Sequence, residues 1–260
     1  MKKALLYLLL FFGITCFVVL GGLLLPSLLM GMGHYDTLGL NEGDVLVYSL
    51  FFSVLVWTAV LLLVFCGNRY ASLSFGRIQR MRYRLLLPLL SSVVFFCIGA
   101  MSYWVHGQMV INAVDYADKL SVFRHHGWMT IFSLAMLYLT LQVVMMGAIL
   151  RELTALTRRT WIPVLATAAC LSAINLAEGG SIGLVMFVFG IFSASFEGIL
   201  FVRTRSVWPA AIGCTVADVV LMLLFGNVVS LFVAAVATLF LPLSFFLVWR
   251  LTSFDPVKAS

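Results

Sequence analysis

Charge is scarce in this chain. Of its 260 residues, 10% are Asp, Glu, Lys or Arg, against about 25% in an ordinary soluble domain. Hydrophobic residues make up 63%, where about 45–50% is usual. A water-soluble fold of this length has nowhere to hide so much apolar surface, so most of the solvent is lipid. Histidine is scarce as well: His34, His106, His125 and His126 all fall in or beside loops. The five cysteines, Cys16, Cys66, Cys97, Cys170 and Cys214, lie inside or at the ends of apolar stretches, and none has CxxC spacing. That argues against a disulfide framework or a zinc ribbon, and leaves each as a small buried hydrophobe. There is no soluble domain, no low-complexity linker and no internal repeat of the kind that marks an inverted-repeat transporter. Met1-Lys2-Lys3 and the apolar run after it resemble a signal peptide. With about 22 apolar residues and no small-x-small cleavage site, the segment reads as an uncleaved first span.

What is present is a series of long apolar runs. A membrane-crossing helix needs roughly 20 mostly apolar residues. Candidate spans cover residues 4–26, 45–66, 84–105, 128–150, 161–177, 181–202, 207–225 and 228–249. The expected fold is all-α: a polytopic membrane protein with about eight transmembrane helices in one bundle, a single domain over 1–260. The fifth span is short. The last two are separated by little more than Gly226, which predicts a tight helical hairpin.

Lys and Arg fix the orientation. One set of loops holds Lys2, Lys3, Arg69, Arg77, Arg80, Arg82, Arg84, Arg151, Arg158, Arg159, Arg203, Arg205, Arg250 and Lys258, fourteen of the sixteen basic residues. The opposite loops hold Lys119 and Arg124 with Asp36, Glu42, Asp44, Asp115, Asp118 and Glu178. The protein is expected to be integral to the cell membrane, multi-pass, with both termini cytoplasmic. The net charge of +6 is then a topology signal with a secondary attraction for anionic lipid. Membrane lipids are expected partners and nucleic acid is not. The longest external loop, about 106–127, reads as an amphipathic surface segment. Trp104, Trp128, Trp161, Trp208 and Trp249 fall near span ends, as interfacial belts require, while Trp57 is mid-span.

A few residues do not belong in lipid. Gln142 in the fourth span, Asn175 near the end of the fifth, Glu197 in the sixth and Asp218 in the seventh are costly there and are expected to face the protein interior. Cys214 lies one helical turn before Asp218, on the same face. Interhelical hydrogen bonding accounts for Gln142 and Asn175 without any further function. Glu197 and Asp218 demand more, because an ionisable group in hydrocarbon needs a partner or a proton.

The stretch Gly190–Asp218, GIFSASFEGILFVRTRSVWPAAIGCTVAD, resembles the last conserved block of the CPBP (CAAX protease and bacteriocin-processing, or Abi) family of intramembrane metalloproteases. Phe201-Val202-Arg203-Thr204 and Trp208 match its characteristic phrase. Its histidine position falls on Cys214 and its Asn/Asp position on Asp218. Further back, the family's phenylalanine and histidine fall on Leu171 and Asn175. Its glutamate pair, arginine and glycine fall on Leu141, Gln142, Met146 and Gly147. Leu150-Arg151-Glu152-Leu153 resembles the turn that follows, and NRYASLSFGRIQR is similar to the entry into the family's third span. The resemblance covers 67–225, spans three to seven, and implies a CPBP-like core.

The same resemblance implies a damaged catalytic set. Such a protease uses a glutamate to activate a metal-bound water and histidines with an Asn or Asp to hold the metal. Of the matched catalytic positions, Leu141, Gln142, Met146, Asn175, Cys214 and Asp218, only Asp218 keeps a permitted residue. Leu141 and Gln142 cannot take a proton, and Asn175 is a poor zinc ligand. Residues 128–150 contain no acidic residue to replace the missing pair. Cys214 and Asp218 are weak metal candidates, so no metal or cofactor is expected; zinc would enter only if a rebuilt site were active.

Three functions follow as expectations. The first is a pseudoenzyme, a non-catalytic CAAX protease-like protein that binds a membrane protein or lipidated peptide in a cavity lined by Gln142, Asn175, Glu197, Cys214 and Asp218. The second is an active intramembrane protease of CPBP type with a rebuilt site, using Cys214 and Asp218 as ligands or Cys214 as nucleophile. The third is a small ion-coupled transporter using Glu197 and Asp218.

Overall fold

A computed structural model of the protein describes residues 9, 13, 52, 54–56, 58–62, 81–109, 127, 128, 131, 132, 134–157, 159–178, 180–225 and 229–253. Among these the chain is helix joined by short connections, with no strand. The apolar runs dictate this. In hydrocarbon every backbone N–H and C=O must be satisfied within its own segment, which a helix does and irregular chain does not. The helices are α1 (Met81–Met109), α2 (Leu134–Thr157), α3 (Trp161–Ser172), α4 (Gly180–Thr204), α5 (Trp208–Phe225) and α6 (Leu231–Ser253).

Four helices, α1, α2, α4 and α6, are long and apolar enough to cross a bilayer, and α3 and α5 are shorter apolar helices. They overlap the third to eighth spans expected from the sequence, but α2 runs on to Thr157, past the expected end at 150, so Arg151, expected in a loop, is helical. The expected count of eight also needs 4–26, which lies outside the described residues except for positions 9 and 13, and 45–66, described only in part. The side chains of the four histidines, and residues 110–126 of the external loop, also lie outside the described set.

The short fifth apolar run is built from two kinds of helix. The twelve α-helical residues of α3 are followed by a six-residue 3-10 segment, Ala173–Glu178. At about 1.5 Å rise per α residue and about 2.0 Å per 3-10 residue, the two together reach about 30 Å. That matches the hydrocarbon thickness of roughly 30 Å. Gly180, at φ +56°, then starts α4 in a conformation that favours glycine.

The middle of α2, Gln142–Leu150, is a π-helix with all nine residues buried. A helix apolar all round is one surrounded by protein. Its Val143, Met145, Met146, Ile149 and Leu150 form a core with Val60, Val164, Phe201 and Val207. Close packing of α4 on α3 rests on small residues, the usual device where lipid offers no hydrophobic drive between helices. Gly190, Ala194 and Gly198 recur every four residues; Gly190 abuts Ser172 and Gly198 abuts Val164. α1 packs on α5, where Gly213 meets Ser91 and Phe95, and on α6. An aromatic row ties α1, α4 and α6 together: Phe95 meets Phe196 edge-on at 5.1 Å, Phe196 meets Phe245 at 5.7 Å, and Phe245 stacks on Trp249 at 6.2 Å. Arg203 closes the row. Its guanidinium lies 3.3 Å from the Trp249 ring centre and donates to the Trp249 carbonyl and to Thr252 Oγ1, each at 3.1 Å.

The turn from α4 to α5 is written in Thr204-Arg205-Ser206. Arg205 takes φ 54° and its N–H bonds the Phe201 carbonyl at 2.7 Å, closing the end of α4 as a left-handed cap does. The Ser206 N–H then bonds Thr204 Oγ1, and Ser206 Oγ accepts from the Trp208 N–H at the start of α5. This tight turn holds α5 beside α4 and so sets the position of Cys214 and Asp218.

Candidate functional site

Three helices each bring a pair of polar side chains spaced four residues apart, so that each pair shares one helix face. They are Tyr138 and Gln142 on α2, Ser193 and Glu197 on α4, and Cys214 and Asp218 on α5. The three pairs meet inside the bundle. Glu197, 6% exposed, is the hub. Gln142 Nε2 donates to its Oε2 at 2.5 Å, while Ser193 Oγ at 3.5 Å and Cys214 Sγ at 3.6 Å donate to its Oε1. Beside it, the Tyr138 hydroxyl donates to Asp218 Oδ2, and Asp218 itself is half-buried. Three of these contacts cross between helices: Gln142–Glu197, Cys214–Glu197 and Tyr138–Asp218. Such bonds average about 0.6 kcal/mol within membranes and reach about 1.7, so the set of three contributes on the order of 2 kcal/mol.

Of the five residues expected to line a cavity, Gln142, Glu197, Cys214 and Asp218 therefore lie in one cluster. Asn175 is engaged elsewhere. It sits in the 3-10 segment after α3, where its Nδ2 donates to the Met186 carbonyl at 3.2 Å and packs against Gly190. Its role is to fasten the end of α3 to α4. Leu141 packs against the apolar core around α2, and Met146 is 1% exposed within it. Tyr138 and Ser193 were not among the residues singled out from the sequence. The signal for both was available: each stands one helical turn from a polar residue that was.

The chemistry of the cluster is that of acids held by neutral donors. Among the described residues no cationic side chain pairs with Glu197 or Asp218, and no group of three His, Cys, Asp or Glu side chains is arranged to hold a metal ion. Cys214 and Glu197 are a thiol and a carboxylate in contact, the elements of a nucleophile and its base. Both are buried, Cys214 at 4% exposure, so a substrate carbonyl reaches the sulfur only if the helices part. Gln142 Oε1, completely enclosed, has no hydrogen-bond partner among the described residues.

A groove of about 230 Å³ lies between α1 and α5, lined by Ser92, Val93, Phe96, Val216, Ala217 and Val220. Ser92 Oγ is already bonded to the Leu89 carbonyl, which leaves an apolar surface suited to an alkyl chain or aliphatic side chains. None of the five polar candidates lines it.

Compared with known proteins, the chain matches no family model, no curated protein and no solved structure.

Proposed function

We propose that this chain is a multi-pass membrane protein of CPBP-like build, set in the cell membrane with both termini in the cytoplasm, that has no hydrolytic chemistry. It acts by binding a membrane partner, a protein helix or a lipid-modified peptide. The observation that carries this reading is the engagement of Glu197. A general base must lie within reach of a bound substrate, and this carboxyl group, 6% exposed and bonded to Gln142, Ser193 and Cys214, is closed off from one while the helices stay packed. Leu141 and Met146 stand where the resemblance calls for a glutamate and an arginine, and neither can take up or hold a proton at neutral pH. The polar cluster is then a fastening between α2, α4 and α5, and the apolar α1–α5 groove is the surface that receives an acyl chain or an aliphatic helix edge.

Site-specific photo-crosslinking in native membranes tests this. A photoreactive residue at Val216, in the groove, captures a discrete membrane protein or lipidated peptide. The same residue at Phe240, an exposed position on α6, does not. Cys214→Ala leaves the capture intact. Cleavage of a lipidated peptide by the purified protein, abolished in Cys214→Ala or Asp218→Asn, contradicts the proposal and favours a rebuilt hydrolase.

A further inference from the structure

We infer that Glu197 is a proton-binding site inside the bundle, its carboxyl group neutral and joined to the Gln142 amide by two hydrogen bonds. This stands apart from the partner-binding reading and can fail without it.

Glu197 lies within a membrane-spanning helix and is 6% exposed. Its donors, Gln142 Nε2, Ser193 Oγ and Cys214 Sγ, are all uncharged. Among the described side chains packed around it, none supplies a positive charge. From α2 come Tyr138 and Gln142, and from α5 come Cys214 and a second carboxyl group, Asp218. α3 meets this part of α4 through Val164 against Gly198 and carries Cys170 as its titratable group. α1 meets it through Phe95 against Phe196 and carries Cys97 and Tyr103 nearby; the side chains of its Arg82, Tyr83, Arg84 and His106 lie outside the described set. α6 meets it through Phe245, and its Arg250 is exposed at the far end. Arg203, the cation on α4 itself, is turned to Trp249 and Thr252. Two carboxylates near one another in a low-dielectric interior, without a cation among the described side chains, are costly, and taking up a proton removes that cost.

The unpartnered atom points to where the proton goes. Gln142 already donates Nε2 to Glu197 Oε2 at 2.5 Å, one half of the ring that an amide and a carboxylic acid close between them. The other half needs an O–H on the acid and an accepting amide oxygen. Gln142 Oε1, enclosed and without a partner among the described residues, is that acceptor. On uptake, a proton from water forms an O–H bond on Glu197, and that O–H donates to Gln142 Oε1. On loss the O–H bond breaks, Oε1 is orphaned and a negative charge is left beside Asp218. An orphaned buried acceptor costs about 1–3 kcal/mol, so deprotonation weakens the α2–α4 contact. Asp218 is the poorer proton site, because the Tyr138 hydroxyl already donates to it.

Infrared difference spectroscopy of the protein in lipid bilayers tests this. At neutral pH the wild type is expected to show the C=O stretch of a buried neutral carboxylic acid. The band is absent in Glu197→Gln, which keeps the side-chain shape, and persists in Asp218→Asn. In Gln142→Leu it moves to the higher frequency of an acid that has lost its ring partner. Glu197→Asp serves as a folding control that retains an acid. A wild type without the band at neutral pH overturns the inference. So does a band that survives in Glu197→Gln or disappears in Asp218→Asn.

Discussion

Replacing Gly190 by alanine puts the packing of α3 on α4 to a quantitative test. A Cβ built on Gly190 falls 2.8 Å from Ser172 Oγ, 2.9 Å from Ser172 Cβ and 2.8 Å from Asn175 Nδ2. Those approaches are closer than folded proteins tolerate. Ser172 Cβ is fixed to the backbone of α3, so it cannot swing aside as a long side chain would. Relief requires that α3 move off α4, and with it the Asn175 bond to the Met186 carbonyl is stretched. Overpacking of this kind costs about 1–3 kcal/mol, and the lost bond about 0.6 kcal/mol. Against that, alanine gains about 1 kcal/mol over glycine in a helix interior. The clash wins, by about 1.5 kcal/mol, roughly a tenfold fall in the folding equilibrium constant. Gly198→Ala is the matched control. There the new Cβ meets Val164 Cγ1 at 3.0 Å and Cγ2 at 3.4 Å, methyl groups that can give by a few tenths of an ångström. Helix propensity then offsets the contact, and the variant stays within about 1 kcal/mol of wild type. Reversible unfolding in mixed micelles, followed by circular dichroism across a denaturing-detergent titration, measures both. The packing account is refuted if Gly190→Ala equals or exceeds the wild type, or if Gly198→Ala is the more damaging of the two.

Other consequences are open to the same assay. Tyr138→Phe removes the hydroxyl that serves Asp218 and lowers stability by about 0.6–1.7 kcal/mol; the same loss is absent when Asp218 is already Asn only if the two side chains act together. Arg203→Ala removes a cation–π contact and two hydrogen bonds between α4 and α6, and costs about 1–2 kcal/mol. Arg203→Lys retains the charge but not the planar stacking on Trp249, so it falls between the two. Gly213→Val drives a branched side chain into Ser91 and Phe95, which a lone Cβ already meets at 2.9–3.1 Å. It is expected to fail to accumulate as folded protein, read by in-gel fluorescence of a tagged chain.

Much of the helical order was legible because hydrocarbon imposes it. A run of about 20 apolar residues between basic loops has few structural options, and the six helices from Met81 onward overlap the predicted runs, with α2 extending past its expected end to Thr157. The shortness of the fifth span was visible as well. Its extension by a 3-10 segment was not, since nothing in Ala173–Glu178 signals a change of helical pitch before the tertiary contacts of Asn175 are known. The π-helix at Gln142–Leu150 was equally hidden: its residues are ordinary helix formers, and the sequence gives no reason for the wider turn.

Within the site, Glu197 and Asp218 stood out because acids in lipid are costly wherever they occur. Tyr138 and Ser193 did not, because a phenol or a hydroxyl is common in apolar helices. Their relevance depends on which helices are neighbours, and that is set by the short α4–α5 turn and by the small residues of α4. Asn175 looked like Gln142 in the sequence, yet its partner is a backbone carbonyl, a choice that no side-chain pattern encodes.

The account rests most directly on the absence of hydrolytic metal chemistry. The deciding measurement is bound transition metal per chain, in protein purified in mild detergent without chelators, beside a Cys214→Ala/Asp218→Ala double variant. The account predicts no metal above background in either form. Near-stoichiometric metal in the wild type, lost in the double variant, would contradict it and make Cys214 and Asp218 ligands of a working centre.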